Sequence, residues 1–367
     1  MKIAQVCPYD LSRPGGVKNH IFSLSEALGK LGHQVSIIAP DHGESSKNNI
    51  HYFGKNRSLN ISGTKIDINI ALGKERKELK RFIENEKFDI IHYHTFWNPI
   101  LPFQVWNHSQ AKNICTFHDT PKSKLIGKTI MPLAAKLVFK MMDQVISVSR
   151  TQAKFIGGLN PQKVKIIPNG INLSPFKKSK AQKIFDDGKF NLLFLGRLEP
   201  RKGVGYALKA YQNLRSENEN IRLIIAGDGQ ERSLVESFMR DHPTDDIEFL
   251  GQVDEATKYN LLKTANLYLA TAIYGESFGI VLLEAMASGL PMVGFGNEGY
   301  LNIISDQWQE YFPSPKDLKN LTLGIKKMIQ DEGIRKKMRD WGIEEVKKYD
   351  WKILAKEIET IYTDSLK

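Results

Sequence analysis

Hydrophobic residues occur along this chain in short continuous runs, separated by stretches in which they recur every three or four positions. The runs are rich in β-branched residues, as expected of strands buried on both faces, and the stretches between them have the period of helices. In the first half the runs are KIAQVCP, QVSIIAP, FDIIHYH, NICTFH, DQVISVS and KVKIIPN. Because strand-like and helix-like segments alternate, the pattern predicts βαβ units and a doubly wound parallel sheet.

A polar, lysine-rich segment then interrupts the pattern, after which strand-like runs resume with FNLLFLG, IRLIIAG, IEFLGQV, NLYLATA and PMVGFG. We therefore predict an α/β protein with two doubly wound parallel-sheet domains that face a central cleft. The predicted domains are residues 1–172 and 190–350, joined by a linker at 173–189. A C-terminal helix at 351–367 is expected to pack back on the first domain.

Composition is ordinary for a globular protein, with 41% hydrophobic and 25% charged residues in a chain of 367, enough for two buried cores. No apolar run approaches the roughly 18 residues of a membrane helix, and the first ten residues lack the core of a signal peptide, so we expect a cytoplasmic protein. Cys7 and Cys115 lie in strand-like runs and are too few for a disulfide framework, which predicts buried thiols.

The charge is strongly basic: 52 lysines and arginines stand against 41 acidic residues, a formal net charge of +11. Such an excess attracts polyanions, among them nucleic acid, anionic lipid and phosphorylated small molecules. A merely solubilising surface has the same composition, so charge alone leaves the partner open.

In parallel sheets, ligands bind at the carboxyl ends of the strands, so chemistry is expected in the loops that follow strands. After the first strand, CPYDLSRPGGVKNH places Gly15 and Gly16 ahead of a helix expected from about Val17. Glycines there let a phosphate or sugar oxygen approach the free N–H groups of the helix start. The segment is not a GxGxxG dinucleotide fingerprint, and a Gly-Gly pair alone is more often only a turn.

The first strand of the second domain leads into GRLEPRKG, where Arg197 follows the strand and Lys202 comes just before the next helix. An arginine fork and a lysine point charge at a strand end and a helix start suit a diphosphate. Lys202 alone is weak evidence, because surface lysines are common. Arg197 is stronger, since a charge beside a buried strand is expected to meet an anion.

Two carboxylates, Glu276 and Glu284, lie eight positions apart in GESFGIVLLEAMASGLP. If a helix begins near Phe278 and Gly279, eight residues rise about 12 Å, more than the roughly 5 to 10 Å that separates a glycosidase pair. The helix start instead offers a second anion site, with Gly279 allowing close approach. We interpret the two carboxylates as acceptors for a sugar hydroxyl and a ribose hydroxyl, against the alternative of plain helix surface.

With these motifs in place, the chain resembles the retaining family-4 glycosyltransferases of the GT-B fold, which have two Rossmann-like domains. ESFGIVLLE matches the E-x7-E motif of that family, and GRLEPRKG, LIIAGDG, IIPNGIN and GQVDEATK follow in the expected order and spacing over nearly the whole chain. The segment CPYDLSRPGGVKNHIFSLSEALGKLGHQVSIIAP narrows the resemblance to the bacterial phosphatidylinositol mannosyltransferases.

The resemblance implies a role for each matching residue toward a nucleotide-sugar donor. The diphosphate would be held by Arg197 and Lys202, the transferred sugar by Glu276, and the ribose by Glu284. The remaining donor-binding positions would be backbone sites at Gly16, Gly251, Gln252, Val253, Ser277, Phe278 and Gly279. His118, in CTFHD, matches a histidine that contacts the sugar in relatives; without that match it reads as a hydrogen-bonded structural histidine.

The catalytic residues implied in this way are His118, Arg197, Lys202 and Glu276. The family chemistry is front-face substitution, in which the departing phosphate helps to deprotonate the incoming hydroxyl, so catalysis depends on positioning and on stabilising the leaving diphosphate. No Asp-x-Asp triplet occurs in the sequence. We therefore expect no required cofactor and no metal site, although a divalent ion remains compatible with the motifs.

On the acceptor side, the resemblance implies binding by Tyr9, Gly15, Gly16 and Lys18. Relatives often carry Gln or Glu where this chain has Lys18, so a cation there suggests an anionic acceptor, with a solvated helix residue as the alternative. Asn172 replaces the acid common after PNGI and can make the same local turn bond.

A basic amphipathic stretch follows the strand that ends near His118. It is free of acidic residues from 120 to 142 and carries Lys122, Lys124, Lys128, Lys136 and Lys140. We interpret it as a contact with an anionic membrane, against an ordinary helix with a basic outer face. The mixed-charge helix at 74–88 reads as solvated surface.

The sequence as a whole predicts a retaining hexosyltransferase that moves mannose from GDP-mannose to a lipid-linked or phosphorylated acceptor such as phosphatidylinositol, at the inner membrane face. Three alternatives remain open: a UDP-sugar transferase that builds a soluble glycoconjugate or polysaccharide, a nucleotide-sugar epimerase on the same fold, and a non-catalytic polyanion-binding protein. Nucleic acid is not an expected partner of the enzyme.

Overall fold

The structure is a computed structural model of the whole chain. It describes residues 1–12, 15–41, 43, 49–61, 64–96, 100–118, 138–150, 152–153, 164–182, 185–216, 220–243 and 246–367. The chain divides into two compact units, the first formed by Met1–Gly170 together with Trp351–Lys367 and the second by Ile171–Asp350.

The first unit is built on a sheet that contains eight strands within the described residues, in the order β4-β3-β2-β1-β5-β6-β7-β8. The strands are β1 Lys2–Val6, β2 Gln34–Asp41, β3 Ile50–Ile61, β4 Thr64–Ile70, β5 Ile90–His94, β6 Lys112–Phe117, β7 Gln144–Ser147 and β8 Val164–Ile166. Neighbouring strands are parallel except for β3 and β4, which are antiparallel and lie at the edge of the sheet.

The second unit is built on a parallel sheet with the order β11-β10-β9-β12-β13. Its strands are β9 Phe190–Leu195, β10 Ile221–Ala226, β11 Ile247–Gly251, β12 Leu267–Ala270 and β13 Met292–Gly294. In both units β-strands and helices alternate along the chain, and the strands at the centre of each sheet are buried.

The described helices of the first unit begin with α1 Gly16–Lys30, α2 Gly73–Glu86 and α3 Ile100–Trp106. Those of the second unit are α4 Ser174–Lys178, α5 Val204–Arg215, α6 Arg232–Asp241, α7 Glu255–Thr264, α8 Ile280–Ser288, α9 Leu318–Gln330 and α10 Glu332–Glu345. Short 3-10 helices lie at Pro200–Lys202, Tyr300–Asn302, Asp306–Tyr311 and Val346–Tyr349. The chain ends with α11 Trp351–Leu366, which belongs to the first unit.

Helices cover both faces of the first sheet. On one face α1 and α11 share an apolar cluster with β1, in which Leu24, Leu28 and Ile358 are almost fully buried. On the other face α2 and α3 pack through Leu79 and Val105 against β5 and β6. Burying a side chain of this size is worth roughly 1.5–3 kcal/mol, so the C-terminal helix is an integral layer of the first unit.

The eleven strand-like runs seen in the sequence correspond to eleven of these strands. The expectation that all of them are buried on both faces was wrong for β8 and β11, which alternate or are exposed because they lie at sheet edges. The β3–β4 hairpin had no counterpart among the predicted strands. The lysine-rich segment at 173–189 begins with α4, whose Phe176 is buried against Tyr259, and is part of the second unit.

The structure also describes the two cysteines and bears on the search for a membrane-spanning helix. Cys7 and Cys115 are both fully buried and unpaired, as predicted, and burial raises the pKa of each thiol to about 12. None of the described helices combines the length and hydrophobicity needed to cross a bilayer.

Candidate functional site

The loop after β9 carries the cations predicted from GRLEPRKG. Lys202 closes the 3-10 helix Pro200–Lys202, and Gly203, at φ +71°, turns the chain into α5. The Lys202 ammonium lies 2.6 Å from Glu276 Oε1, and both side chains are largely buried, at 15% and 11% exposure. The structure thus brings two of the predicted residues, far apart in the sequence, into direct contact.

Arg201 joins the same carboxylate, and sequence reasoning missed it. Its Nη1 lies 3.0 Å from Glu276 Oε1, and its Nε lies 2.7 Å from Glu199 Oε2. The other oxygen of Glu199 binds Arg197 at 2.6 Å. Arg197, Glu199, Arg201, Glu276 and Lys202 therefore form one continuous row of ion pairs, which we call the charge ladder.

The surroundings of Arg197 differ from the expected ones. Its side chain is 61% exposed, and its charge is paired with Glu199. Its place directly after β9 is therefore no evidence by itself for an external anion. The ladder nevertheless holds three cations and two carboxylates, a formal excess of one positive charge, with Arg197 at its exposed end. An exposed guanidinium can turn toward an arriving phosphate at little desolvation cost, whereas the inner members are fixed by their partners.

Helix α8 begins beside this ladder, at Ile280, close to the predicted start. Its N-cap is Gly279, in the left-handed region at φ +101°, and no side chain among the described residues caps the helix. A Cβ at Gly279 would lie 2.6 Å from Tyr300 Cδ1, which is too close for a side chain, so only glycine fits beside that ring. An uncapped helix start next to a cationic row is a favourable place for a negatively charged oxygen.

The neighbours of this helix start differ in what they can offer. Ser277 is half-buried, but the Phe278 ring is buried and packs edge-on at 5.8 Å against Tyr349, so Phe278 can offer a ligand only its main chain. Beneath the helix start, burial and then the charge of Glu276 raise the pKa of Tyr300 well above its ordinary value. This tyrosine is therefore neutral.

Glu284 lies one turn into α8 and has a different partner. Its Oε1 accepts an ion pair from Lys258 at 2.8 Å, and each of the two side chains is 12% exposed. Burial lowers the pKa of Lys258, but Glu284 and Glu255 raise it by more, so the lysine stays charged. Within the described part of the chain, Oε2 of Glu276 and Oε2 of Glu284 have no hydrogen-bond or ion-pair partner and remain able to accept from a hydroxyl.

The predicted base-contacting segment lies at the end of β11. Gly251 is left-handed at φ +63°, and its carbonyl accepts from the amide of Gly227 at 2.7 Å. Gln252 is exposed and Val253 is half-buried. Asp254 then caps α7 by accepting from Thr257 N at 2.7 Å. The segment is thus a fixed turn that displays main-chain groups.

In the first unit, α1 begins at Gly16, one residue earlier than expected. Gly15 is its N-cap in an extended conformation; among the residues that the structure describes, no side chain caps the helix and no atom lies within 4 Å of the place a Cβ would occupy. Lys18 is half-buried, with its ammonium 6.0 Å from the centre of the Phe22 ring. Tyr9, also half-buried, accepts from Cys7 Sγ through its carbonyl.

His118 belongs to a buried group of four histidines, which we call the histidine cluster: His20, His92, His94 and His118. Each member is at most 5% exposed. His118 Nε2 lies 3.0 Å from His94 Nδ1, and His20 Nδ1 lies 3.0 Å from Asn169 Oδ1. Nε2 of His20 has no hydrogen-bond partner among the described residues.

Burial dominates the electrostatics of the histidine cluster. It lowers the pKa of His20 to about 4, and burial followed by the neighbouring His20 lowers the pKa of His92 to about 3. For His94 and His118, burial and then the neighbouring histidines hold the pKa well below the ordinary value. All four rings are therefore neutral at physiological pH. One ring nitrogen each of His20, His94 and His118 lies within 4.8 Å of the others, which is close enough for a metal ion to be considered.

Sequence reasoning identified only His118 of this cluster. The alternation in HYH places His92 and His94 on one side of β5, but the contact with His118 requires β6 beside β5, and the contact with His20 requires α1.

Of the five lysines predicted to contact a membrane, Lys122, Lys124, Lys128 and Lys136 lie outside the described residues. Lys140 is exposed and follows the buried Val138 and Phe139.

Comparisons with known proteins cover both halves of the chain. Residues 14–175 match the family model described as Glycosyltransferase Family 4, and residues 175–345 match the model described as Glycosyl transferases group 1. A phosphatidyl-myo-inositol mannosyltransferase of Mycolicibacterium smegmatis is 28% identical over 366 residues, which cover 99% of this chain and 93% of the relative. One subunit of the phosphatidylinositol N-acetylglucosaminyltransferase of Arabidopsis thaliana is 25% identical and is matched over 100% of this chain and 83% of its own length.

Among solved structures, a glycosyltransferase from Rickettsia africae ESF-5 has the same fold. The TM-score is 0.76 at 17% identity, over 100% of this chain and 98% of that one. Both units of the present structure have the alternating parallel-sheet architecture of the two domains of GT-B enzymes. Matched in its two halves by two glycosyltransferase models and over its full length by named transferases, this chain belongs to the family-4 glycosyltransferases of the GT-B fold.

Proposed function

We propose that this glycosyltransferase moves a hexose, mannose from GDP-mannose, with retention of configuration onto phosphatidylinositol or a similar lipid-linked or phosphorylated acceptor. The observation that carries the proposal is the charge ladder, in which Lys202 and Arg201 converge on Glu276 beside the uncapped start of α8. This arrangement can hold a nucleotide diphosphate and a sugar hydroxyl side by side. The names of the full-length relatives supply the sugar and the acceptor.

Those names support the acceptor more strongly than the donor. The mycobacterial and the plant relatives are both named for action on phosphatidylinositol, while one is named for mannose and the other for N-acetylglucosamine. Lys18 adds a half-buried cation to the start of α1, which suits a phosphorylated acceptor. A UDP-sugar donor is accordingly the main alternative that an experiment has to separate.

In the proposed mechanism the protein positions the reactants and stabilises charge. Arg197 and Lys202 bind the diphosphate and offset the charge that grows on it as the sugar leaves. Glu276 accepts a hydroxyl of the transferred sugar through Oε2, while Arg201 holds Oε1. Glu284 accepts a ribose hydroxyl. The acceptor oxygen forms a bond to the anomeric carbon on the face from which the diphosphate departs, the bond between that carbon and the diphosphate breaks, and the leaving phosphate takes the hydroxyl proton. Correct placement of the two oxygens accounts for much of the rate.

The cations of the charge ladder meet the diphosphate in this scheme, so it requires no metal or organic cofactor. We propose that the enzyme works at the cytoplasmic face of the membrane, attracted by its formal charge of +11. The enzyme would then reach an acceptor with acyl chains while that acceptor stays in the bilayer.

The decisive experiment measures donor and acceptor separately. Thermal unfolding is followed with GDP-mannose, GDP, UDP-glucose and UDP-N-acetylglucosamine, because a ligand that binds the native state at 100 times its Kd stabilises it by about 2.7 kcal/mol. Transfer of radiolabelled sugar is then assayed into vesicles with and without phosphatidylinositol, with Glu276→Gln as the control of reduced activity. We expect selective stabilisation by the guanosine ligands and labelled lipid only when phosphatidylinositol is present. Stabilisation by uridine ligands alone, or transfer that ignores phosphatidylinositol, would contradict the assignment.

A further inference from the structure

Within the histidine cluster, a hydrogen-bonded row of three side chains ends at His118. His94 Nε2 lies 2.7 Å from Gln5 Oε1, and His94 Nδ1 lies 3.0 Å from His118 Nε2. Gln5 and His94 are fully buried, and His118 is 5% exposed. In such a place each polar atom needs a partner, so the positions of the protons along the row are constrained.

The amide of Gln5 fixes the first proton. Its oxygen can only accept, so Nε2 of His94 must carry a hydrogen. The amide nitrogen of Gln5 faces the Tyr362 hydroxyl at 3.3 Å, in keeping with this orientation. A neutral imidazole has a single N–H, which leaves Nδ1 of His94 as a bare acceptor. Nε2 of His118 must then be the donor of the 3.0 Å hydrogen bond.

We propose that His94, held by Gln5, is a positioning residue that fixes His118 as the neutral tautomer with its proton on Nε2. The proposal rests on the function proposed above and on the contact with the transferred sugar that the family resemblance implies for His118. Because the single proton of the neutral His118 ring is then on Nε2, Nδ1 is the atom of this ring that can accept a hydrogen bond. A neutral ring also adds no positive charge next to a sugar that becomes cation-like in the transition state.

Other aromatic and polar side chains surround the row. His92 stacks on His94 with ring centres 4.5 Å apart and is itself bound by Tyr362 and Thr116, at 2.6 and 2.7 Å. His20 packs edge-on against His118 at 4.5 Å and is backed by Trp351 at 4.8 Å. Residues of α1, β5, β6 and α11 thus enclose the row.

A metal ion is the competing occupant of this cluster. It would need three bare nitrogens, each about 2.0–2.1 Å from a common point. The hydrogen bond between His94 and His118 already uses one nitrogen as donor and the other as acceptor. The tautomers required by Gln5 therefore favour the hydrogen-bonded row over coordination.

The tautomer is tested directly by long-range proton–nitrogen NMR of the full-length protein labelled with nitrogen-15 at histidine, with His118→Gln used to assign the His118 signals. His94→Leu removes the acceptor, and His94→Asn restores an oxygen near the position of Nδ1. We expect a protonated Nε2 and a bare Nδ1 on His118 in the wild type and in His94→Asn, and mixed tautomers in His94→Leu. A proton on Nδ1 in the wild type, an unchanged tautomer in His94→Leu, or signals that show zinc bound at these nitrogens after zinc is added would overturn the proposal.

Kinetics test whether the position matters for transfer. In His94→Leu we expect kcat for transfer from GDP-mannose to fall roughly 10- to 100-fold, as for other residues that orient a functional histidine, with donor KM changed by less than about 3-fold. His94→Asn should recover part of the loss. His92→Asn is the matched control, because His92 is equally buried but does not bind His118.

The control separates positioning from simple stability. His92→Asn should lower the melting temperature about as much as His94→Leu and leave kcat within about 3-fold of wild type. Equal losses of kcat in the two variants would show that His94 has only a structural role. If the wild-type enzyme transfers no sugar at all, the proposed function fails, while the NMR result still decides the tautomer.

Discussion

Glu276 and Glu284 are both bound by cations through Oε1, but the cations belong to different elements of the second unit. Glu276 shares its charge with the residues expected at the diphosphate, so its loss should affect the reacting end of the donor. Glu284 is bound by Lys258 on α7 and is expected at the ribose. The two glutamates should therefore differ in the kinetic constant that they control.

We predict that the isosteric substitutions Glu276→Gln and Glu284→Gln change different constants, kcat in the first and donor Kd in the second. Losing a charged hydrogen bond is worth about 1.5–3 kcal/mol, or roughly 10- to 100-fold. Glu276→Gln should lower kcat by this factor with little change in donor Kd, and Glu284→Gln should raise donor Kd with little change in kcat. Steady-state kinetics and calorimetric titration with the donor distinguish the two. Variants that lose only thermal stability would indicate that both residues have a purely structural role.

Arg201 is the second prediction at this scale. It bridges Glu199 and Glu276 with two different nitrogens, which the single ammonium of a lysine cannot do. Both Arg201→Ala and Arg201→Lys should therefore lower kcat by roughly 10-fold, because Glu276 loses its fixed orientation. Kinetics with saturating donor measure the effect.

A surface arginine of the same unit provides the control. Arg232 is 49% exposed and pairs with Glu236 on α6 and with Asp228, which precedes that helix. Since exposed pairs contribute about 0–1 kcal/mol, Arg232→Ala should leave kcat unchanged. Full activity in Arg201→Lys would show that charge alone, rather than the two-nitrogen bridge, is what Glu276 needs.

These residues also show how far the sequence predicts a site. Glu276, Glu284 and Lys202 stand in a recognisable spacing, and the structure places them on or beside α8. Arg201 could not be distinguished, because EPRKG contains two adjacent cations and only the fold shows which one faces Glu276. The partners of His118 were missed for a similar reason: His94 comes from β5 and His20 from α1, and only the pairing of β5 with β6 and the packing of α1 bring them to His118.

At the scale of elements, the start of α8 depends on one backbone conformation. Gly279 is left-handed, and a Cβ there would meet the Tyr300 ring at 2.6 Å. We predict that Gly279→Ala destabilises the second unit by about 1–3 kcal/mol, the cost of a strained backbone position, and also weakens donor binding because the helix start moves. Chemical denaturation and donor titration of the purified variant measure both effects.

Gly29 is the matched control for that substitution. It lies within α1 and its backbone is not left-handed, and no atom of the described residues lies within 4 Å of the place of a Cβ. Gly29→Ala should therefore stabilise the protein slightly, by up to about 1 kcal/mol. If Gly279→Ala binds donor normally, the proposed anion site at the start of α8 would have to be abandoned.

The type of each element could be predicted from the hydrophobic periodicity of the sequence, because the central strands are buried on both faces and appear as continuous apolar runs. The runs at β8 and β11 were detected for the same reason, but their edge positions were not, since exposure at an edge depends on strand order rather than on local sequence. The β3–β4 hairpin escaped because its sequence, IHYFGKNRSLNI, mixes polar and apolar residues without a continuous run.

For the molecule as a whole, the histidine cluster should make the first unit sensitive to acid. Each of its four rings is neutral when folded, with the pKa of His20 lowered to about 4 and that of His92 to about 3 by burial. In the unfolded chain a histidine titrates near pH 6.5. Between these values the unfolded state binds more protons than the native state, so the free energy of unfolding falls as pH falls from about 6.5.

The expected slope is up to about 1.4 kcal/mol per pH unit for each histidine, and stability should be retained above about pH 7. Because all four residues lie in the first unit, hydrogen exchange corrected for intrinsic rates should show peptides of residues 1–118 losing protection at pH 5 before those of 190–350. Removing one titrating ring with His92→Asn should reduce the pH slope of the first unit while lowering its stability at pH 7. Parallel loss of protection in both units, or a slope unaffected by His92→Asn, would mean that the acid sensitivity comes from charges other than the buried histidines.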